Sequence, residues 1–425
     1  MHIFFSGIGG TGIGPLALIA HQAGYTVSGS DKQNSAYIDY LRNQGLENIH
    51  IGQSAEDIEK VHRAQPIDWL VHSSAVSIEN PNHPELIFAQ KNNIKTTKRD
   101  ELTNHILKEK HLKLIAIAGT HGKTTTTAMV IWLFKELNIS ISYSVGAKIS
   151  FGDMGHFDPA SEYFVYECDE YDRNFLAFKP HLSLITGIAH DHHDIYPTEA
   201  DYNNAFRDFL DQSEQKILWG ADQNKLSLPD SDKLHSLGSI LDGITLAGEV
   251  NRLDASLAIQ AVGDLTKVPT ADLVKIINRF PGVSRRFEKI ADNIYSDYAH
   301  TPEKIAGCLE MAKELSNKVV VVYEPLTNKR QYSIRNTYTD LFKNVKKLYW
   351  VPSYLTREDP DQHVLTPTEL IENMGNKEIA EPAELNPQLL ESIKKHQSDG
   401  DLVICISGGG GGSLDEWLRQ QFIAT

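Results

Sequence analysis

Short apolar runs alternate along this chain with longer stretches in which apolar residues recur at helical spacing. The runs fall at 2–6, 27–31, 68–74, 114–118, 163–166, 182–185, 216–220, 294–296, 319–323, 348–351 and 402–406. Most are apolar throughout rather than alternating, the pattern of strands covered on both faces of a parallel sheet. Helical patterns follow several of them, notably through Ala23, after Lys123, at 251–262 and at 413–422. Strand–helix alternation of this kind predicts an α/β protein.

The run at 114–118 leads into the stretch that organises the chain, LIAIAGTHGKTTTTAMV. A strand, a glycine turn and a helix start follow one another there. Backbone N–H groups and the positive end of the helix dipole then point at one place, which suits a phosphate. Lys123 adds a mobile positive charge, and the Thr124 hydroxyl is a ligand type for Mg²⁺. Gly119, Thr120, His121, Gly122 and Thr125 complete the turn. The full G-x-x-x-x-G-K-[ST] pattern wants glycine where Ile117 stands, so the match is partial.

A second glycine motif opens the chain. Gly7-Ile8-Gly9-Gly10-Thr11-Gly12 is G-x-G-x-x-G between the run at 2–6 and a helical pattern, and Asp31 ends the next run. That is the dinucleotide fingerprint in its expected setting. By itself it fits any nucleotide diphosphate, with Asp31 on a ribose. Later runs end in small or acidic residues, where α/β proteins place ligands. Ser74 ends 68–74, Glu167-Cys168-Asp169-Glu170-Tyr171-Asp172 follows 163–166, and His190-Asp191-His192-His193-Asp194 follows 182–185. The histidine cluster has the wrong spacing for tetrahedral zinc, and its oxygen-rich neighbours favour Mg²⁺. Asp297-Tyr298-Ala299-His300 and the glycine run Gly408 to Gly412 mark two more strand ends. The polar passage 91–113 reads as a domain boundary.

Composition narrows the partners. At 425 residues the chain has room for several domains, and 41% hydrophobic with 23% charged residues is ordinary for a globular protein. A net charge of -15 disfavours bulk attraction to nucleic acid or anionic membranes. Three cysteines, Cys168, Cys308 and Cys405, form no metal or disulfide spacing and read as thiols in a reducing compartment. No apolar run reaches membrane-spanning length and no leader precedes Gly7, so a cytoplasmic protein is expected.

The motifs GTHGKTTTTAM, ECDEYD, TGIAHDHHDIY, PGVSRRFE and DYAHTP, in this order, resemble those of the Mur ligases, which build the peptidoglycan precursor. The resemblance covers nearly the whole chain. It implies a Rossmann-like N-terminal domain at 1–105, a central P-loop ATPase-type domain at 106–283 and a Rossmann-like C-terminal domain at 284–425. It also implies that the first glycine motif holds the UDP of a sugar nucleotide and no NAD. GIGGTGIG, SGSD, SSAVS and Arg99-Asp100-Glu101-Leu102 are most similar to the member that adds L-alanine to UDP-N-acetylmuramate. Gly9, Gly10, Thr11, Gly12, Asp31, Ser74 and Arg99 would then bind the sugar nucleotide.

By the same resemblance Lys123 would neutralise the γ-phosphate of ATP, and Thr124, Glu167 and His192 would hold Mg²⁺. Asn251, Arg286 and Asp297 would contact ATP. Tyr298 and His300 would line the closed cleft between the central and last domains, with His300 counted with Lys123, Glu167 and His192 as catalytic, and Arg330 lies in the loop that would help bind the amino acid. A monomer or weak homodimer is expected.

Three segments depart from the family pattern. TNIEADH reads Thr186-Gly187-Ile188-Ala189-His190-Asp191-His192, and GRHNALNA reads Gly248-Glu249-Val250-Asn251-Arg252-Leu253-Asp254-Ala255. PHRFTR reads Pro325-Leu326-Thr327-Asn328-Lys329-Arg330. Tyr323 to Asn328 and Asp169 to Asp172 also resemble a recycling ligase that attaches a murein tripeptide to the same sugar nucleotide. A sugar-nucleotide sensor without catalysis would keep the first glycine motif but has no use for Lys123, Glu167 and His192 together.

Overall fold

The computed structural model describes residues 1–73, 76, 80–192, 195–355 and 358–422. Three sheets carry the chain, in line with the three domains that the family resemblance implies. The first joins β1 (His2–Ser6), β2 (Thr26–Asp31), β3 (Ile49–Ile51), β4 (Trp69–His72) and β5 (Lys95–Thr97). Its order is β3-β2-β1-β4-β5, all parallel. The second joins β6 (Lys113–Ala118), β7 (Ile141–Ser144), β8 (Gly155–His156), β9 (Tyr163–Glu167), β10 (Leu182–Ile185), β11 (Gln215–Trp219) and β12 (Leu234–Leu237). Its order is β12-β11-β10-β6-β9-β7-β8, parallel except for the β7–β8 edge.

The third joins β13 (Glu288–Ala291), β14 (Ile294–Asp297), β15 (Val319–Glu324), β16 (Lys347–Trp350), β17 (Ala380–Pro382) and β18 (Leu402–Ser407) in the order β13-β14-β18-β15-β16-β17. Only its β13–β14 pair is antiparallel. The α/β class with three parallel-sheet domains is therefore the architecture the chain adopts.

Burial follows from the sequence. β6, β15 and β18 are apolar on both faces because helices cover both. Contacts divide the chain into two compact units, 1–244 with 253–280, and 245–252 with 281–425. The first two sheets share a unit because one apolar cluster runs from Ile3 and Val71 through Leu114 and Phe164 to Phe206. Gly155 lets β8 close on the first helix, since a Cβ there would lie 2.8 Å from Pro15 Cα. The passage 91–113 runs from the last strand of the first sheet to the first strand of the second. It forms β5 and the helix Arg99–Glu109, because Leu102 and Ile106 bury one face against the core. The helix expected at 251–262 extends over Glu249–Thr266. All three cysteines are buried.

The third sheet packs a separate core. Trp350 is fully buried among Tyr323, Tyr338 and Phe342, with ring centroids 4.9 to 5.9 Å away. Trp350→Ala is expected to cost about 3–5 kcal/mol through lost burial and a residual cavity. Urea unfolding followed by near-UV circular dichroism would read this as a lower midpoint. An unchanged midpoint would mean that the ring cluster contributes nothing.

Candidate functional site

Three strand ends meet at the first candidate site. β6 lies between β9 and β10, and the register brings Ala118, Glu167 and Ile185 to one C-terminal edge. The turn from 119 to 122 then enters the helix Lys123–Glu136. Gly119 (φ 139) and Gly122 (φ 82) adopt backbone angles that side chains resist. A Cβ on Gly119 would press on Gly187 O at 3.0 Å, and one on Gly122 on Asp254 Oδ1 at 2.5 Å. Thr120 straps the turn to the loop after β10. Its N–H donates to Gly187 O at 2.9 Å, its hydroxyl donates to Ala189 O at 2.8 Å, and Ala189 N–H donates back at 2.9 Å. His121 stands exposed at the apex, and Thr125 is half-buried in the first helical turn.

Lys123 is held before any ligand arrives. Its Nζ donates to Gly119 O at 2.6 Å and lies 2.8 Å from Glu170 Oε2. Burial raises the Glu170 carboxyl above its usual range, while the lysine pulls it back. Glu170 also lies 3.3 Å from His192 Nε2. The acidic run singled out from the sequence thus contributes Glu170 as the lysine's partner, a role that its position among neighbouring acids does not reveal.

Thr124 Oγ1 donates to Glu167 Oε1 at 2.9 Å, and Gly146 N–H donates to Glu167 Oε2 at 2.9 Å. Two oxygens about 2.9 Å apart match adjacent corners of an octahedron with ligands at about 2.0–2.1 Å. The hydroxyl and carboxylate therefore fit Mg²⁺. His192 faces Glu170 rather than this pair, so the expected ligand set is only partly gathered. Among the described residues no group of three or more His, Cys, Asp or Glu could hold a metal by itself.

The first glycine motif lies at the end of β1. Gly7 and Ile8 N–H both donate to Ser30 O at 2.9 Å, and Gly9 N–H donates to Asp31 Oδ2 at 2.8 Å. Asp31 thus holds the loop in this structure, where the sequence suggests a ribose contact. Gly10 and Thr11 are exposed. The Arg99 guanidinium stands where a side chain on Gly12 would fall, with Nη2 3.6 Å from Asp169 Oδ2. Ser74, His193 and Asp194 lie outside the described residues.

The remaining candidates belong to the second unit. Asp297 Oδ2 accepts from Phe287 N–H and Oδ1 from Ala299 N–H, both at 2.7 Å. Burial raises its carboxyl to about 6. Arg286 lies near enough to oppose that rise. Arg285, the first arginine of PGVSRRFE and given no role by the resemblance, donates to Ser407 O at 2.8 Å and Gly409 O at 2.5 Å and stacks on Tyr298. Asn251 Nδ2 donates to Ala247 O at 2.8 Å.

His300 Nδ1 lies 2.9 Å from Tyr298 O, and burial pushes its pKa down to about 4. The imidazole is therefore neutral at physiological pH and too weak a base to store a proton well. Arg330 Nη1 reaches His300 O at 3.5 Å. Gly408 touches Leu326 and His300, since a Cβ there would lie 2.9 Å from Leu326 Cβ and 3.2 Å from His300 Cβ. Tyr298, His300, Leu326, Arg330 and the glycine run thus form one cluster.

The chain is similar to known proteins along its length. Residues 2–111 match the model of the Mur ligase family, catalytic domain, and residues 117–233 match the Mur ligase middle domain. A UDP-N-acetylmuramate–L-alanine ligase of Clostridium tetani is 32% identical over 96% of this chain and 95% of its own length. That of Clostridium acetobutylicum is 30% identical over the same shares. The crystal structure of the UDP-N-acetylmuramate–alanine ligase of Thermotoga maritima superimposes with a TM-score of 0.75 at 23% identity, covering 100% of this chain and 98% of that one. A murein peptide ligase of Psychrobacter arcticus gives 0.63 at 22% identity, with the same coverage. With family matches across both glycine motifs and curated relatives along almost its full length, the chain belongs to the Mur ligase family.

Proposed function

We propose that this protein is an ATP-dependent ligase that joins L-alanine to UDP-N-acetylmuramate in peptidoglycan precursor synthesis. The observation that carries the reading is the convergence of Lys123, Thr124 and Glu167 at neighbouring strand ends. It occurs in a chain whose relatives of that name are 30% and 32% identical over 96% of its length.

In the first step an oxygen of the muramyl carboxylate attacks the γ-phosphorus of ATP. The new O–P bond gives an acyl phosphate, and the β–γ bridging oxygen leaves with ADP. The alanine nitrogen then attacks the acyl carbon. The tetrahedral species expels phosphate, and the nitrogen loses a proton.

Phosphoryl transfer asks the protein for position and charge rather than covalent help. Lys123 moves from Glu170 to the γ-phosphate, and the neighbouring N–H groups of Gly119, His121, Gly122 and Thr125 cradle the phosphate chain while Thr120 straps the turn in place. Thr124 and Glu167, together with His192, would hold Mg²⁺, and the ion would neutralise charge on the phosphoryl oxygens. Gly9, Gly10, Thr11, Gly12, Asp31, Ser74 and Arg99 bind the sugar nucleotide, and Asn251, Arg286 and Asp297 contact ATP. Tyr298, His300 and Arg330 receive the amino acid, His300 orienting the amine as a neutral acceptor. The reading carries with it a cytoplasmic location and a monomer or weak homodimer.

Phosphate release from ATP with UDP-N-acetylmuramate tests this. Release is expected with L-alanine, to require Mg²⁺ and to yield ADP. Chelation should abolish it, and AMP as product would overturn the mechanism. Parallel reactions with glycine, L-serine and the murein tripeptide read the effect of the altered loop at Pro325 to Arg330. Release with the tripeptide alone would assign the protein to recycling.

A further inference from the structure

Beneath the first glycine motif lies a sealed polar cluster that none of these steps uses. Ser6 (0% exposed), Ser30 (1%), Gln53 (6%), His83 (5%) and Glu85 (0%) gather at the C-terminal ends of β1 and β2. Glu85 sits in the first turn of the helix Pro84–Lys91, with its carboxyl turned into the core. Ser6 Oγ donates to Glu85 Oε2 at 2.5 Å, Gln53 Nε2 donates to Ser6 Oγ at 3.3 Å, and His83 Nδ1 lies 3.9 Å from Glu85 Oε2. Glu85 Oε1 and Gln53 Oε1 are buried acceptors that no donor among the described residues meets at full hydrogen-bond geometry, with the Ser30 hydroxyl close enough to act on the carboxyl. A buried acceptor left unpaired is costly. One proton on Glu85 converts a surplus acceptor into a donor.

The cluster touches what holds the loop. Ser6 is the residue before Gly7, and the Ser30 carbonyl accepts both Gly7 and Ile8 N–H groups. Asp31, next in line, holds Gly9. We propose that Glu85, as a neutral carboxylic acid, is a positioning residue for the sugar nucleotide, tying the ends of β1 and β2 together under the diphosphate loop. Its ionisation would set a buried negative charge beside Asp31 and an anionic ligand. The proposal rests on the sugar-nucleotide reading of this loop.

The surroundings agree. Burial, with Asp31 and Asp57 adding to it, raises the Glu85 carboxyl to about 7, although the Ser30 and Ser6 hydroxyls oppose the rise. Burial, with Lys32 and His72 nearby, lowers the His83 pKa, so His83 stays neutral where Glu85 titrates. The unfolded carboxyl titrates near 4.5. Between that pH and about 7 the folded chain keeps a proton that the unfolded chain has lost. Stability therefore falls as pH rises through this window.

Calorimetric titration of UDP-N-acetylmuramate into the full chain from pH 6 to 8.5 tests the idea. Wild-type affinity should fall about tenfold, the effect of a one-unit shift between free and bound states, while Glu85→Gln keeps its pH 6 affinity throughout. Glu85→Ala should bind weakly at every pH, and in turnover assays its KM for the sugar nucleotide should rise while that for ATP does not. Thermal unfolding of the ligand-free proteins should show the wild-type loss of stability between pH 4.5 and 7 reduced in Glu85→Gln. Identical pH profiles for wild type and Glu85→Gln would overturn the proposal while leaving the ligase reading intact. A wild type that binds no sugar nucleotide at any pH would overturn that reading and the proposal with it.

Discussion

Lys123→Ala should lower turnover by about a thousandfold, the upper range for loss of one preorganised electrostatic group, and leave UDP-N-acetylmuramate affinity nearly unchanged. The ammonium lies 2.8 Å from Glu170 and 2.6 Å from Gly119 O, at the turn that the phosphates would occupy. Removing it takes away charge at the γ-phosphate and leaves Glu170 without its cation. Glu170 is buried and already raised, so without the lysine its carboxyl rises further. The variant's stability should therefore fall as pH rises, more steeply than that of the wild type. Single-turnover phosphate release gives the rate, and calorimetry gives the affinity. Loss of sugar-nucleotide binding would contradict the assignment of the two glycine motifs to different ligands.

Gly9→Val should do the reverse. A Cβ at this position would lie 2.9 Å from Asp31 Oδ2 and 3.0 Å from Ile38 Cδ1, closer than real contacts permit. The valine displaces Asp31, which breaks the 2.8 Å bond that Gly9 N–H donates to it. Overpacking of about 1–3 kcal/mol and a lost charge-assisted hydrogen bond of about 1.5–3 kcal/mol predict at least about a hundredfold weaker sugar-nucleotide binding. ATP affinity, measured with a fluorescent analogue, should hold. Unchanged sugar-nucleotide affinity would remove the diphosphate from this loop.

The local patterns proved readable because they are local. Leu114 to Val130 encodes a buried strand, a turn that needs glycine and a helix start within a few residues, and the structure places β6, a left-handed Gly122 and the helix Lys123–Glu136 there. The polar passage 91–113 hides a helix for an equally plain reason. Its charged residues are numerous, but Leu102 and Ile106 fall on one face and suffice to dock the helix.

Pairing across the chain was not readable in the same way. Lys123 and Glu170 are 47 residues apart, Ser6 and Glu85 are 79 apart, and no periodicity relates such positions. Glu85 follows a proline at a helix start, where an exposed acid serves the dipole equally well. Only the meeting of β1, β2 and the helix Pro84–Lys91 turns it inward. The sequence by itself determined the central apolar strands, the two glycine turns and the family, while short strands such as β3, β5, β8 and β17 carried no apolar run. The tertiary structure decided which carboxylate partners Lys123, that His192 faces Glu170, that Asp31 braces its loop and that one acid is sealed beneath it. Backbone turns follow from nearest neighbours, whereas the partner and solvation of a charge depend on which distant strand ends the sheet brings together.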